Sequence, residues 1–185
     1  YLIKEGHQFL GEDRLYTGSL VFRGRQYEGL GMKYDVCNQQ LIVFLQTEPI
    51  REGIILPLDF TSAFSLEGRS FTKSDFQGEP LWYQVVFDND RLKCLYHWSK
   101  KVMETAGGGN YKYSHFEFSN SKRQSYLFIN GSFELYRNNR TFIALFPQEV
   151  RAGLGHFMKT NRLKVSAISD ERMSELMTYC NTLIK

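Results

Sequence analysis

The chain has 185 residues, the length of one ordinary domain, which excludes a multidomain machine. Hydrophobic residues make up 42% and charged residues 23%, enough apolar material for a core and too little charge for an intrinsically disordered segment. The net charge of +3 is too mild to mark a nucleic-acid or anionic-membrane binder.

Aromatic residues reach 15% of the chain, and large flat rings pack well on a pleated surface, so the composition leans towards strands. In chain order, strands are expected at Leu15 to Phe22, Gln26 to Tyr34, Gln40 to Gln46, Gly53 to Phe60 and, more weakly, Ala63 to Leu66. They continue at Leu81 to Phe87, Leu92 to Trp98, Lys112 to Phe118, Gln124 to Ile129 and Ser132 to Tyr136. Asp88-Asn89-Asp90 reads as a short connection between two of these. Asn130-Gly131 supplies the two positive-φ positions of a type I′ hairpin. Gly107-Gly108-Gly109 reads as a loose loop rather than a phosphate cradle, because a strand pattern and not a helix follows it.

After residue 137 the period changes. A short helical turn is expected around Thr141 to Phe146, and Pro147 is placed as the first-turn proline of a helix ending near Thr160, with Val150, Leu154, Phe157 and Met158 on one face. A second helix is capped by Ser169, carries Asp170 and Glu171 at its positive end, and buries Met173, Leu176, Met177, Cys180, Leu183 and Ile184. The fold expected is α+β in a single domain over 1–185: an extensive antiparallel sheet over 15–136, curved or partly closed into a barrel, with the C-terminal helical pair of 137–185 packed on it.

Candidate chemistry is sparse. Cys37, Cys94 and Cys180 are too few and too widely spaced for a disulfide framework or a zinc pattern, and read as buried free thiols. Cys94 and His97 stand at i and i+3 of a strand and point to opposite faces, which disfavours a shared metal. In Leu92 to Trp98, alternation places Leu92, Cys94, Tyr96 and Trp98 on one apolar face, opposite Lys93, Leu95 and His97. Gly18-Ser19-Leu20 and Gly131-Ser132-Phe133 lack the second glycine of a nucleophile elbow, and Asp59, Asp75 and Asp88 read as solvated turn formers. No catalytic motif, cofactor site or metal site is expected, and the chain reads as non-enzymatic. Asn130-Gly131-Ser132 and Asn139-Arg140-Thr141 match the glycosylation sequon. Aromatic and basic residues interleave around Tyr96 to Lys101 and Tyr111 to Tyr113; Trp82, His97, Trp98, Tyr111, Tyr113 and His115 are the candidate ligand or partner surface, and nucleic acid is not the expected ligand.

Residues 1–90 carry eight Lys or Arg against thirteen Asp or Glu, while 91–164 carry thirteen against four. Either the two regions attract within one fold or present solvated faces of opposite sign, or the basic stretch is a partner surface. No apolar run reaches the roughly 18 residues of a membrane span and no signal peptide is present, so no transmembrane segment is expected and peripheral membrane association stays open.

Gly18-Ser19-Leu20-Val21-Phe22, Tyr27-Glu28-Gly29 and Lys33-Tyr34-Asp35 form a strand pair leading to a Tyr-Asp dipeptide. Tyr126 to Tyr136 form a hairpin ahead of a Leu145-Phe146-Pro147 helix start and two closing helices. Both stretches resemble a group of uncharacterised exported proteins of Bacteroidetes, from which Gly29-Leu30-Gly31 departs by being less apolar. The resemblance implies a periplasmic or outer-membrane-associated protein whose export signal was removed ahead of Tyr1, and transfers no functional residue. The function expected is a non-enzymatic binding or assembly module of a bacterial envelope, an accessory subunit of an outer-membrane complex with another envelope protein as partner. The alternative is a hydrolase or a small-ligand or lipid binder using the concavity of the sheet.

Overall fold

The computed structural model describes residues 3–47, 50–106 and 115–184. Along the chain run β1 (Ile3–Glu5), β2 (Tyr16–Phe22), β3 (Arg25–Asp35), β4 (Gln40–Thr47), β5 (Ile50–Leu56), a 3-10 turn (Leu58–Phe60), β6 (Thr61–Leu66) and β7 (Arg69–Ser74). There follow β8 (Leu81–Asp88), β9 (Lys93–Ser99), β10 (Val102–Thr105), β11 (His115–Phe118), β12 (Lys122–Ile129), β13 (Ser132–Tyr136), α1 (Asn139–Ile143), α2 (Gln148–Thr160) and α3 (Asp170–Leu183). The fold is α+β, with a large antiparallel sheet and three helices. The sheet is not closed, so the expected barrel is not formed. Among the described residues no helix is long and apolar enough to cross a membrane.

Two compact units divide the chain, and each is discontinuous. The first takes residues 1–82 and 98–123, the second 83–97 and 124–185, so the boundary falls inside β8, β9 and β12.

In the first unit the order is β7-β6-β2-β3-β4-β5, every neighbour antiparallel, and a small sheet β1-β11-β10 accompanies it. Two-residue links build the hairpins: Arg23-Gly24 between β2 and β3 and Glu67-Gly68 between β6 and β7 both take two positive φ values, the turn geometry whose twist suits antiparallel strands. The β3 to β4 link is held by Asp35, whose carboxylate accepts from the Cys37 and Asn38 backbone N–H groups at 2.8 and 2.9 Å. Gln39 accepts from the Tyr34 hydroxyl at 2.6 Å and donates to the Val36 and Trp98 carbonyls. This network gives the Tyr-Asp dipeptide a structural task. The core of the unit is an aromatic cluster: Phe64 stacks on Phe71 with centroids 4.5 Å apart, Tyr34 meets both edge-on, and Trp82 stands edge-on to Phe64 at 4.9 Å.

In the second unit the order is β13-β12-β9-β8. Asn130-Gly131 takes the expected positive φ values of 53° and 83°. The helices belong to this unit. Met173, Leu176, Met177 and Cys180 of α3 are fully buried, the two methionines and the leucine each contributing about 1.5–3 kcal/mol by leaving water. Gln84 of β8 donates to Asp170 at the start of α3 (2.6 Å), and Cys94 Sγ lies 3.2 Å from the Tyr136 hydroxyl. Tyr136 in turn packs on Phe142 of α1 at 5.0 Å. The single apolar face expected for Leu92 to Trp98 is a simplification: Leu95 and His97 are buried as well as Cys94 and Tyr96. β9 is flanked on both sides by β8 and β12 and is covered on both faces, so period-2 alternation no longer separates core from solvent.

Several strand limits differ from expectation. The strand expected at Gly53 to Phe60 begins at Ile50 and stops at Leu56, because Pro57 offers no N–H to the ladder and a 3-10 turn follows. β1, β7 and β10 were not legible; they are short, and Arg69-Ser70-Phe71-Thr72-Lys73-Ser74 carries one buried ring, Phe71, among polar residues. The triple-glycine loop and Lys112 to Ser114 lie outside the described residues.

Candidate functional site

The six residues singled out from the sequence do not gather into one described surface. Trp82 is 2% exposed and belongs to the aromatic core of the first unit. Trp98, half-buried, packs against the same cluster, with the Arg69 guanidinium 5.9 Å from its ring. His97 belongs to the second unit, buried with its ring 5.5 Å from Tyr83, which is itself edge-on to Tyr126. His115 begins β11, and Tyr111 and Tyr113 lie outside the described residues.

The cysteine and tyrosine groups with shifted proton affinity are held in their protonated forms. Burial pushes the Cys180 thiol up to about 12, with Cys94 adding to the rise. Burial also raises Cys37, and the neighbouring Asp35 carboxylate adds to it, so neither sulfur is poised as a thiolate nucleophile. None of the three cysteines is in a disulfide; Cys94 and Cys180 are buried as expected and Cys37 is half-buried. Tyr83 is pushed up to about 12 by burial and then by Tyr126. In the first unit Lys100 donates to the His7 carbonyl at 2.7 Å; burial and then Lys100 hold the His7 imidazole below its usual range.

Positions with motif-like text have structural partners. Ser19 Oγ and Ser65 Oγ lie 2.8 Å apart across β2 and β6, a cross-strand pair rather than a presented nucleophile. Asn139 is engaged through both side-chain atoms, donating to the Leu163 carbonyl at 2.7 Å and accepting from the Val165 N–H at 2.9 Å. Among the described residues no group of three or more His, Cys, Asp or Glu side chains is placed to hold a metal ion.

Two surfaces emerge that local motifs did not mark. On the β4–β5 hairpin, Leu45 and Ile54 are each 43% exposed and share the face of the buried Leu41 and Val43, Val43 being directly opposite Ile54. Ile55, 54% exposed, points to the other face opposite Ile42. Gly53 stands opposite Phe44; a Cβ there would lie 3.1 Å from the Phe44 ring, so the glycine lets the ring lie across β5. In the second unit, a groove of about 460 Å³ opens between α1 and the end of α2, with Lys159, Arg162 and Lys164 among its lining residues. The hairpin signal is visible only once β5 is known to end the strand order. The groove had a weak signal, the basic stretch of 91–164.

Compared with known proteins, the chain matches no family model, no curated protein and no solved structure.

Proposed function

We propose that the chain is a non-enzymatic binding or assembly module of a bacterial envelope, an accessory subunit of an outer-membrane complex that engages its partner through the β4–β5 hairpin. The observation that carries the binding reading is the run of apolar side chains along one face of this hairpin, from buried Leu41 and Val43 to exposed Leu45 and Ile54. A core stripe that continues into solvent at the last strand of a sheet is the form of a surface completed by another chain. Among the described residues β5 has a ladder neighbour on one side only, β4, which suits addition of an extended partner segment to its free edge. The unreactive state of Cys37 and Cys180 supports the non-enzymatic part. The envelope placement rests on the resemblance carried by Gly18 to Phe22, Lys33-Tyr34-Asp35 and Tyr126 to Tyr136.

A photo-crosslinking amino acid at position 45, on the same face as Ile54, in cells fractionated after irradiation, tests both parts. The expected result is one discrete adduct in the envelope fraction, lost when Ile54→Lys is added and the melting temperature is unchanged. A chain that stays uncrosslinked and monomeric would overturn the binding reading; an adduct confined to the cytosol would overturn the envelope placement alone.

A further inference from the structure

The groove of the second unit has a floor and a rim of different chemistry. Ile143 of α1 with Met158 and Leu163 makes an apolar floor, and Lys159, Arg162 and Lys164 stand exposed around it. Met158 and Leu163 are themselves buried, so the apolar surface is recessed rather than protruding. Among the described residues no carboxylate lines the groove, and none of the three cations makes an ion pair.

The way α2 ends creates this arrangement. Arg162 adopts a left-handed φ of 53°, its N–H donating to the Lys159 carbonyl at 3.1 Å, while the Leu163 N–H donates to the Met158 carbonyl at 2.8 Å. These two bonds close the helix with a left-handed cap that brings Leu163 back over Met158. Glycine fills such a position with least strain; an arginine there gives up stability and places a cation at the rim. Gly155, on the wall of the groove, departs from the optimum in the same direction. A Cβ there would meet only Ile143 Cδ1, at an ordinary 3.7 Å, so alanine would fit and strengthen the helix, yet glycine leaves the groove open. Two lining positions of one groove thus sacrifice helix stability for openness and positive charge, a pattern expected where a site is used.

We infer that this groove binds a short acidic segment of another protein, one apolar side chain of which rests on Met158 and Leu163 while flanking carboxylates meet Lys159, Arg162 and Lys164. Three cations with no acid among them set the sign of the partner. The recessed floor sets its shape: a membrane surface is met by apolar side chains that project into it, whereas a groove is filled by a side chain that projects from the partner. The site is separate from the β4–β5 hairpin in unit and in chemistry, so either reading can fail without the other.

The test uses the whole chain and a panel of fluorescein-labelled twelve-residue peptides of Asp, Glu, Ser and Gly, each carrying a single central Leu, Ile, Met or Phe. Phosphatidylglycerol vesicles and polyglutamate serve as comparison probes. At least one peptide is expected to bind saturably, to weaken about tenfold when its apolar residue becomes Ser, and to weaken further as salt is raised. Arg162→Gly is expected to lower affinity by about fivefold or more while the melting temperature holds or rises, because the cap improves as the rim charge is lost. Gly155→Leu, which fills the groove, should abolish binding with the fold intact by circular dichroism. Absence of binding across the panel, equal binding of polyglutamate, or Arg162-dependent binding of vesicles in place of peptides would each overturn the proposal.

Discussion

Gly18 leaves no room for a side chain between β2 and its neighbours: a Cβ there would lie 2.0 Å from the Ser65 carbonyl oxygen and 2.7 Å from Met32 Cε. Met32 could swing away, but the Ser65 backbone is held in the ladder on both sides. Gly18→Ala is therefore expected to destabilise the chain by about 3 kcal/mol or more, as overpacking against backbone does at its upper end. Urea unfolding checks it, and an unchanged midpoint would show that the strands do not approach as described. His7 offers a residue-scale test of charge. Burial first, and the Lys100 cation second, hold its pKa below the ordinary 6.5, so the folded state binds fewer protons than the unfolded one in the window below 6.5. Stability from this group is complete above that window and falls as pH drops through it. The melting temperature should fall between pH 7.5 and 5.5 by less in His7→Gln than in the parent chain; equal slopes would remove His7 from the account.

At the scale of elements, turn chemistry and caps explain which segments are regular. Ser169 accepts from the Arg172 N–H at 3.3 Å, and Asp170 and Glu171 occupy the positive end of α3. Ser169→Ala is expected to cost about 0.5–1 kcal/mol, read as a lower melting temperature with the helical signal at 25 °C retained. No change would mean that Asp170, already bound to Gln84, satisfies the helix start alone. These signals were local and therefore legible: the cap of α3, the proline ahead of α2 and the Asn130-Gly131 turn all depend on residues a few positions apart. β7 was not legible, since only the partners it finds in the sheet, Phe64 opposite Phe71 among them, make a strand of its polar text. The Arg23-Gly24 and Glu67-Gly68 turns did carry a signal, a glycine second in a two-residue link, weaker than Asn-Gly because Arg and Glu resist positive φ.

For the whole molecule, the partition into units reorders what the linear text suggested. The acidic first half and basic second half do not become an acidic and a basic body: the first unit carries thirteen basic against thirteen acidic residues, the second ten against seven. The helices of 137–185, expected to pack on the sheet, lie in one unit with most of β8, β9 and β12 and with β13, and α1 and α3 contact its strands. A fragment of residues 1–136 should consequently expose the apolar face around Cys94 and Leu127 and aggregate, and a fragment of 137–185 should show little helix by circular dichroism. Independent, cooperative folding of either fragment would contradict this division. The candidate surfaces belong to the same scale. Leu45 and Ile54 are ordinary strand residues until β5 proves to be the last strand, and Lys159, Arg162 and Lys164 are ordinary surface charges until the end of α2 turns them around one groove.

By itself the sequence determined the α+β class, most strands and helices, the Asn130-Gly131 hairpin and the caps, because these follow from side-chain period and backbone preference over a few residues. Only the tertiary structure decided that the sheet stays open, that the chain returns after residue 98 to finish the first unit, and which apolar and charged side chains are left to face a partner. Those outcomes depend on contacts between residues far apart in the chain, whose pairing no local pattern encodes.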